Sequence, residues 1–516
     1  MARYKEYSYS QGKFIPIHFS KQILPGTFEY TLNYLIDNEL DLSVFDSKYK
    51  NNDTGAPAYD PAILLKIVLY AYSKGIVSSR KIARCCCENI IFMALSADTR
   101  PHFTTIADFI SSMDKEITKL FRDILLICDD QGLIGREMFA IDGCKLPSNA
   151  SKEWSGTKAD FEKKAAKMER AISNILQKHR EYDQTRGDKE IIAKEKKYID
   201  TLKKRVKKVK DWLDNNDDKT GKSGKPIKSN ITDNESAKMK TSKGVIQGYN
   251  GVTAVDGKHQ VIVHAESFGQ AHESDLLKPM VEGVRDNFRS IGKEEDVFKD
   301  AKLTADSGFH SEENMKMLFE NEIDAYVADT QFRKRDPRFA DYGRYKERFR
   351  KERAMREGRR NLFSTKDFTF PKDLSHCICP AGKRLYRSGF NVKVRGFRAV
   401  KFKGPKSACI PCKLRSKCLR HPERTEIRQV AYFTGRTEKG KNTFTEKMKR
   451  KIDSLAGRVI YSMRLAISEP PFANIRSALG LDRFTLRGKR KVNVQWNLFC
   501  IVHNMKKIQR YGPEFA

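Results

Sequence analysis

Two aspartates each follow a short apolar run that has the composition of a β-strand. Met138–Ile141 precedes Asp142, and Lys302–Ala305 precedes Asp306. A carboxylate at the end of a buried strand is held rigidly at a sheet edge, where it is open to ligands. Two such carboxylates on adjacent strands can share hard divalent cations, which prefer oxygen ligands. Either aspartate alone is typical of a turn, whereas the pair favours a metal site.

Glu469 lies far downstream and shares a helical spacing with two arginines. Glu469 and Arg476 are seven positions apart, which places them about 20° apart around a helix, and Arg483 continues that face. A glutamate with arginines on its face suits a metal ion beside a DNA phosphate. Pro470 and Pro471 should start or kink the helix at Glu469. An acid at a helix start is also ordinary, because the macrodipole favours it.

The second half of the chain carries cysteines with the spacing of a metal site. Cys409 and Cys412 form a CxxC knuckle, and Cys418 follows six positions later. Cys379, with a Pro-Ala-Gly turn behind it, supplies a fourth sulfur. Four cysteine sulfurs around one ion form a closed tetrahedral structural zinc site. Free thiols are the alternative, and the residues that could replace one zinc ligand are Cys377, His376 and His421.

The composition indicates a polyanionic partner. Lys and Arg number 99 against 66 Asp and Glu, which gives a formal net charge of +33. Nucleic acid is the expected partner, because basic side chains release the counterions condensed on its phosphates. The tract Arg333–Arg360 has thirteen basic and five acidic residues around Phe339, Tyr342, Tyr345 and Phe349. A basic ribosome-associated protein or an anionic membrane surface would also explain the charge, and the tract could be simply solvated.

The chain has no targeting or membrane-spanning pattern. Met1–Ser10 is polar and aromatic, and the longest apolar stretch, Pro61–Tyr72, contains Lys66 and is too short to cross a bilayer. We therefore expect a cytoplasmic protein without membrane contact. In a reducing compartment its 11 cysteines should be thiols or metal ligands.

Two segments have helical apolar spacing. The first covers residues 25–135, where Asp60 and Pro61 match an N-cap and the first residue of a helix. Its short helices suit either a helix-turn-helix DNA-binding module or a plain bundle. The second, residues 151–244, is a basic helical insertion whose charged helices are either solvated or in contact with DNA.

Outside the insertions, the order of elements is strand, two-stranded hairpin, helix, strand, helix, strand and C-terminal helices. Asp256-Gly257 predicts a two-residue turn in the hairpin. RNase H-like folds have this order. The predicted fold class is therefore α/β, with a mixed sheet flanked by helices, an N-terminal helical domain and two insertions, one helical and one cysteine-rich. The predicted domains are 1–135, the first part of the core at 136–335, the basic and cysteine-rich insertion at 336–435, and C-terminal helices completing the core at 436–516.

Three sequence blocks resemble the catalytic blocks of the DDE transposases of bacterial insertion sequences. They are Ala140–Gly143, Leu303–Phe309 and Tyr461–Arg476. The stretches from Tyr59 to Arg80 and from Arg487 to Asn504 are also similar to that family. The likeness covers most of the chain outside the first insertion.

The resemblance implies an enzyme that cleaves insertion-sequence ends and joins them to target DNA. Its catalytic residues would be Asp142, Asp306 and Glu469, which would hold Mg²⁺ or Mn²⁺. The residues expected to contact DNA are Tyr461, Arg464, Arg476, Arg483 and Arg487. The expected partners are transposon-end DNA, target DNA and a second copy of the chain, since two ends must be joined together.

Two departures from the family signature concern the last block. Four residues instead of three separate Arg464 from Glu469, and Arg476 stands where the family has lysine. Arginine retains the ability to bind phosphate, whereas the longer gap leaves the role of Arg464 open. Two other functions remain as alternatives: a catalytically inactive DNA-binding protein derived from a transposase, and an RNase H-like nuclease without transposition.

Overall fold

The structure is a computed structural model, and it describes residues 16–49, 57–183, 189–221, 224–242, 244–339, 362–394, 397–437, 443–513 and 515. The predicted basic tract Arg333–Arg360 is described only as far as Phe339. Tyr342, Tyr345 and Phe349 therefore lie outside the described residues, as does Met1–Ser10.

Helices and strands both occur along the chain, which confirms the prediction of an α/β protein. The helices are α1 (Phe28–Tyr34), α2 (Pro61–Ser73), α3 (Ser79–Glu88), α4 (Ile90–Leu95), α5 (Phe103–Ser112), α6 (Asp114–Asp130), α7 (Lys158–Asp183), α8 (Lys189–Asn215), α9 (Leu277–Ser290), α10 (Glu312–Glu320), α11 (Phe332–Arg335), α12 (Lys406–Cys409), α13 (Arg415–Cys418), α14 (Phe444–Asp453), α15 (Leu455–Ala473) and α16 (Lys489–Tyr511). The strands are β1 (Met138–Pro147), β2 (Ser155–Gly156), β3 (Lys219–Thr220), β4 (Pro226–Ile227), β5 (Ser229–Asn230), β6 (Ala237–Thr241), β7 (Gly244–Asp256), β8 (Ile262–Phe268), β9 (Lys302–Ala305), β10 (Asp324–Val327), β11 (His376–Ile378), β12 (Arg384–Val394), β13 (Phe397–Lys403) and β14 (Gln429–Arg436).

The chain folds into two compact units. The first contains Met1–Thr304 and Met463–Ala516, and the second contains Ala305–Ser462. Within the described residues, no helix is long and apolar enough to cross a membrane.

The N-terminal helices of the first unit pack around the C-terminal helix α16. The prediction that Asp60 and Pro61 start a helix is confirmed, because α2 begins at Pro61 and the Asp60 carboxylate accepts the N–H of Ala62 at 2.7 Å. α16 contacts α1, α2, α5 and α6 as well as strand β8. Every residue from Val494 to Met505 is buried, so this stretch of α16 is enclosed on all sides and forms the centre of this core.

In the first unit, β1 is a central strand of the sheet. β7 pairs with β1 antiparallel on one side, β9 lies on the other side, and β6 and β8 both pair antiparallel with β7. The prediction that the first strand ends at Asp142 is wrong. Asp142 faces Thr253 in the middle of the β1–β7 ladder, and the pairing continues to Pro147. Backbone hydrogen bonds with β7 therefore override the local turn tendency of Asp142-Gly143.

The hairpin between β7 and β8 is present, but its turn is longer than predicted. Residues 257–261 connect the strands, whereas a two-residue turn was expected at Asp256-Gly257. The Asp256 carboxylate is fully buried and accepts backbone N–H groups from Gly135, Arg136 and Lys258. Burial raises the pKa of this carboxyl against the lowering effect of those three donors. Because Asp256 anchors a distant segment, it is unable to serve as the tip of the turn.

The segment 151–244 contains two long helices, α7 and α8, that pack on each other. Near their base, the ring of Phe161 lies edge-on to Trp212 with centroids 4.7 Å apart. Further along, Ile172 packs with Ile199 and Val206. These apolar contacts join the two helices, while most of the remaining described side chains along them are exposed.

The second unit contains a four-stranded antiparallel sheet in the order β11-β12-β13-β14. Its core is a small apolar cluster that includes Phe368, Leu385 and Phe402. Elsewhere in this unit α10 packs against α14, and the carboxylate of Glu312 accepts backbone N–H groups at the start of α14. A carboxylate at a helix start satisfies groups that have no partner within the helix.

Two histidines of the first unit, the buried His503 and the partly buried His264, give a testable pH dependence. Burial lowers the pKa of both His264 and His503 to about 4. Because the unfolded value is about 6.5, the unfolded chain takes up protons first, so stability is complete above that pH and declines as the pH falls towards 4. We expect a loss of about 1.4 kcal/mol per pH unit for each histidine in this window. Urea midpoints at different pH values measure it.

The His503→Gln variant provides the control for this prediction. His503 donates from Nε2 to the carbonyl of Gln260 at 2.9 Å, and its Nδ1 lies 2.9 Å from the amide of Asn474. Glutamine retains a donor and an acceptor but does not titrate. The variant should therefore show a weaker pH dependence than the wild type, and equal dependence in both would refute the assignment.

Candidate functional site

The carboxylate of Asp142 is the centre of the candidate site, and each of its oxygens has a hydrogen-bond donor. Oδ1 accepts the backbone N–H of Gly143 at 2.8 Å. Oδ2 accepts from Nη1 of Arg464 at 2.6 Å and from the hydroxyl of Ser468 at 3.1 Å. The ion pair is largely shielded from water, since the side chains of Asp142 and Arg464 are 20% and 9% exposed. The guanidinium of Arg464 thus places a positive charge beside this carboxylate, as a bound metal ion would.

Arg464 and Ser468 reach Asp142 together because they lie four positions apart on one face of α15. Ser468 was not predicted from the sequence. The only sequence signal for it is this spacing from Arg464, and that signal becomes informative only after α15 is known to face β1. Because Ser468 is fully buried, its hydroxyl orients the Asp142 carboxylate without access to bulk water.

The helix that contains Glu469 begins fourteen residues before it, so the expectation that Pro470 and Pro471 start the helix at Glu469 is wrong, while the alternative that they kink it stays a prediction. α15 begins at Leu455 and contains both prolines in its last turn. Pro470 has no N–H for the carbonyl of Ala466, and the side-chain amide of Gln260 approaches that carbonyl at 3.5 Å. The interpretation of Glu469 as an ordinary helix-start acid therefore fails, since a position near the C-terminal end of the helix gains nothing from the macrodipole.

Glu469 and Arg476 are both exposed, and they do not share a regular helical face. Arg476 lies in a π-helical segment, Asn474–Ala478, that follows α15. A π-turn has more residues per turn than an α-helix, so the angle of about 20° expected from a regular helix does not apply. Burial raises the pKa of Cys144 on β1 to about 12, and the nearby charge of Arg476 opposes that rise. Arg476 therefore lies near the strand that carries Asp142.

Two of the residues predicted for catalysis or DNA contact, Asp306 and Tyr461, belong to the second unit. Asp306 follows β9 directly, as predicted, and is the N-cap residue of a short 3₁₀ turn, Ser307–Phe309. The ring of Tyr461 packs edge-on against Phe332 with centroids 5.2 Å apart. The convergence of Asp306 with Asp142 and Glu469 stays a prediction.

The described residues hold no group of three or more His, Cys, Asp or Glu side chains arranged to bind a metal ion. The two metal sites expected from the sequence are thus not present as formed ligand cages. The donor chemistry nevertheless suits both metals: carboxylate oxygen for a hard cation at Asp142, and thiol sulfur for zinc in the second unit.

The four cysteines predicted as zinc ligands line one cavity of the second unit. They are Cys379, Cys409, Cys412 and Cys418. Cys379 begins a tight turn in which its sulfur accepts the N–H of Lys383 at 3.3 Å and Gly382 has a positive φ of 71°. The guanidinium of Arg415 holds the surrounding loop by donating to several backbone carbonyls, including that of Cys409 at 3.0 Å. Cys377 is buried in the adjacent apolar core.

Two segments of the chain match known protein families. Residues 378–509 match the family described as "Transposase DDE domain", and residues 18–112 match the family described as "Transposase domain (DUF772)". These two matches support an insertion-sequence DDE transposase. Transposition is accordingly the function that its domains indicate. A comparison with curated proteins found no match.

The matched segments of this transposase include some of its predicted site residues and exclude others. Arg464, Glu469 and the four cysteines lie within the matched range 378–509, whereas Asp142 and Asp306 lie outside both ranges. The family match therefore includes the predicted site residues on α15, Arg464 and Glu469. The geometry connects that side to Asp142 through Arg464 and Ser468.

Proposed function

We propose that this transposase catalyses metal-dependent cleavage and strand transfer at the ends of an insertion sequence. One observation carries the proposal. The helix that bears Glu469, within the matched DDE segment, also places Arg464 and Ser468 on the carboxylate of Asp142. Residues 322 positions apart in sequence are thus brought together around a shielded carboxylate.

The proposed core fold is RNase H-like. Four strands of the first unit's sheet lie side by side in the order β8-β7-β1-β9. Numbered along the chain, they are the third, second, first and fourth strands of the proposed core. Asp142 lies on the first of these strands, and Asp306 directly follows the fourth. We propose that the segment 151–244, which follows β1, and the segment 336–435, which follows β10, are insertions. We also propose that Asp306 is the second catalytic carboxylate, on the strength of its sequence block.

In the proposed mechanism, Asp142, Asp306 and Glu469 bind Mg²⁺ or Mn²⁺. Bound divalent ions would lower the pKa of an attacking water or 3′-hydroxyl and stabilise the leaving oxygen. Arg464 is ion-paired with Asp142 and holds that carboxylate in place. Ser468 fixes the orientation of Asp142. The exposed guanidinium of Arg476 is placed to bind a DNA phosphate.

The proposed partners follow from the reaction. Insertion-sequence ends and target DNA are the substrates, and a second copy of the chain is required to hold two ends at once. Bacterial DNA as the substrate places the enzyme in the cytoplasm. The N-terminal helices, which include the matched segment 18–112, are proposed to bind DNA.

A strand-transfer assay tests the function. Duplexes of the DNA that flanks the gene, with pre-cut 3′ ends, would be incubated with the purified protein and a supercoiled plasmid, in Mg²⁺ or in EDTA. We expect Mg²⁺-dependent joining of the duplex to the plasmid. Binding without cleavage would identify a non-catalytic DNA-binding protein, and cleavage without joining would identify a nuclease; either result overturns the proposal.

We also propose that Cys379, Cys409, Cys412 and Cys418 bind one structural zinc ion. Their support is a shared cavity, four sulfur donors, and a turn that already directs a backbone N–H at the sulfur of Cys379. Zinc thiolate sites stabilise small segments that have limited apolar cores. The sheet β11–β14 beside these cysteines has such a limited core.

Metal analysis tests the zinc proposal. Protein purified without chelator should contain one zinc ion per chain, and the Cys409→Ser/Cys412→Ser variant should contain none because half of the ligands are removed. The Cys87→Ser variant is the control, since Cys87 is an exposed thiol on α3. Zinc-free wild-type protein, or a full zinc content in the double variant, would exclude the site.

A further inference from the structure

Four of the fourteen described residues that line a broad groove in the first unit are basic, and none of those fourteen is acidic. The volume of the groove is about 660 Å³. Lys152 and Lys208 come from the segment 151–244, and Arg483 and Arg487 come from the segment before α16. Trp154 completes the lining between the two lysines. Two stretches that are more than 270 positions apart in sequence thus combine into one cationic surface.

The groove is built from backbone and side-chain contacts within the first unit. The amide of Asn149 donates to the carbonyl of Thr485 at 3.1 Å, and Nε of Arg487 donates to the carbonyl of Asn149 at 2.7 Å. These two bonds join the end of β1 to the C-terminal segment. Lys208 donates to the hydroxyl of Thr232 at 3.2 Å, which fixes α8 at the other wall.

Two details of the lining favour a polar, anionic occupant. The hydroxyl of Ser148 is buried at the groove and has no hydrogen-bond partner among the described residues. The face of Trp154 is covered by cations, with Nζ of Lys164 4.1 Å and Nζ of Lys208 6.0 Å from the ring centroid. Cations stacked on a tryptophan are held in place before a ligand arrives.

We propose that this groove binds the sugar-phosphate backbone of DNA, and that the helical segment 151–244 is therefore a DNA-binding element. The inference rests on the proposed function for the identity of the polyanion. A DNA backbone presents a row of phosphates along a path, which matches four cationic side chains spread along a groove. The sequence already predicted that Arg483 and Arg487 contact DNA. The groove adds Lys152 and Lys208 from the segment 151–244, whose charged helices were interpreted as either solvated or in contact with DNA.

The salt dependence of DNA binding tests the groove. The probe is a fluorescent duplex of the flanking DNA, titrated with full-length protein between about 50 and 200 mM salt. Each phosphate contact contributes about 0.9 to the slope of log K against log salt. The Lys152→Gln/Lys208→Gln variant should reduce that slope by about 1.8 and weaken binding at every salt concentration. Glutamine retains a donor for Thr232, so the local structure is preserved.

A matched control uses two exposed lysines of the same helix. Lys196 and Lys203 are exposed and do not line the groove. Their double glutamine variant removes the same amount of charge. Because this charge lies outside the groove, the slope should remain unchanged. An equal reduction in both variants, or none in either, overturns the proposal. Thermal melting of each variant checks that the fold is intact.

The outcome separates the groove from the catalytic proposal. A reduced slope in the groove variant, together with no Mg²⁺-dependent cleavage by the wild type, would support DNA binding in the groove and refute the catalytic proposal. Cleavage in the wild type with an unchanged slope in the groove variant would remove the groove and leave the catalysis. Cleavage of the probe is prevented in the binding experiment by EDTA.

Discussion

Replacing Asp142 with asparagine is expected to lower Mg²⁺-dependent DNA cleavage at least about 10³-fold, because a catalytic metal contributes several kcal/mol to transition-state stabilisation. Asparagine has the same shape and retains an acceptor oxygen for Arg464, but it carries no charge to hold a cation. DNA binding should remain, since Asp142 is a shielded carboxylate that offers nothing attractive to phosphate. The measurement is cleavage of labelled flanking DNA alongside a binding titration of the same variant.

Three variants complete this test. Glu469→Gln and Asp306→Asn should lose cleavage to a similar extent if all three carboxylates hold the metal ions. Asp286→Asn removes an exposed acid on α9 of the first unit and should cleave at the wild-type rate. Substantial cleavage by purified Asp142→Asn would remove the catalytic assignment, and normal cleavage by Glu469→Gln alone would remove only the third ligand.

Removing Arg464 should destabilise the protein most strongly when no divalent metal is present. The Arg464→Ala variant leaves the largely buried carboxylate of Asp142 without its cation, which costs about 3 to 5 kcal/mol in comparable buried pairs. For a unit of this size the unfolding entropy is about 0.75 kcal/mol/K, so the thermal midpoint should fall by roughly 4–7 °C in EDTA. Because a divalent ion can replace the lost charge, added Mn²⁺ should raise the midpoint of the variant more than that of the wild type.

A double-mutant cycle isolates the pair from other effects of the substitution. Asp142→Ala, Arg464→Ala and the double variant should be non-additive, with the double variant less destabilised than the sum of the two single variants. Arg464→Lys retains the charge and should recover part of the stability. Additive losses, or an equal Mn²⁺ response in wild type and Arg464→Ala, would show that Arg464 is independent of the metal-binding carboxylate.

The ion pair gives Arg464 a role that the family signature left open. Its distance from Glu469 in sequence differs by one residue from the usual spacing, so its equivalence to the signature arginine was uncertain. In this chain Arg464 is buried against Asp142 instead of facing solvent. We infer that it is a positioning residue, which holds and orients the carboxylate, while the exposed Arg476 is the better candidate for a phosphate contact.

Local sequence signals predicted the elements whose ends depend on local chemistry. Asp60 and Pro61 start α2 as expected, because an N-cap carboxylate and a proline act within one turn of the helix. The strand before Asp306 also ends where the sequence indicates. The four cysteines proposed for zinc line one cavity, as their clustered spacing suggested.

The sequence by itself determined the residue types of the site, the strongly basic charge and the α/β alternation, because these depend on composition and short-range periodicity. Tertiary structure decided the rest. β1 continues through Asp142 because β7 pairs with it. The buried carboxylate of Asp256 binds two distant N–H groups, those of Gly135 and Arg136, in addition to the nearby N–H of Lys258. Pro470 stays within α15 and has no N–H for the carbonyl of Ala466. The side-chain amide of Gln260 approaches that carbonyl instead. Arg464 and Ser468 meet Asp142 across more than 300 positions, and no local pattern encodes a contact formed only when helix and sheet pack together.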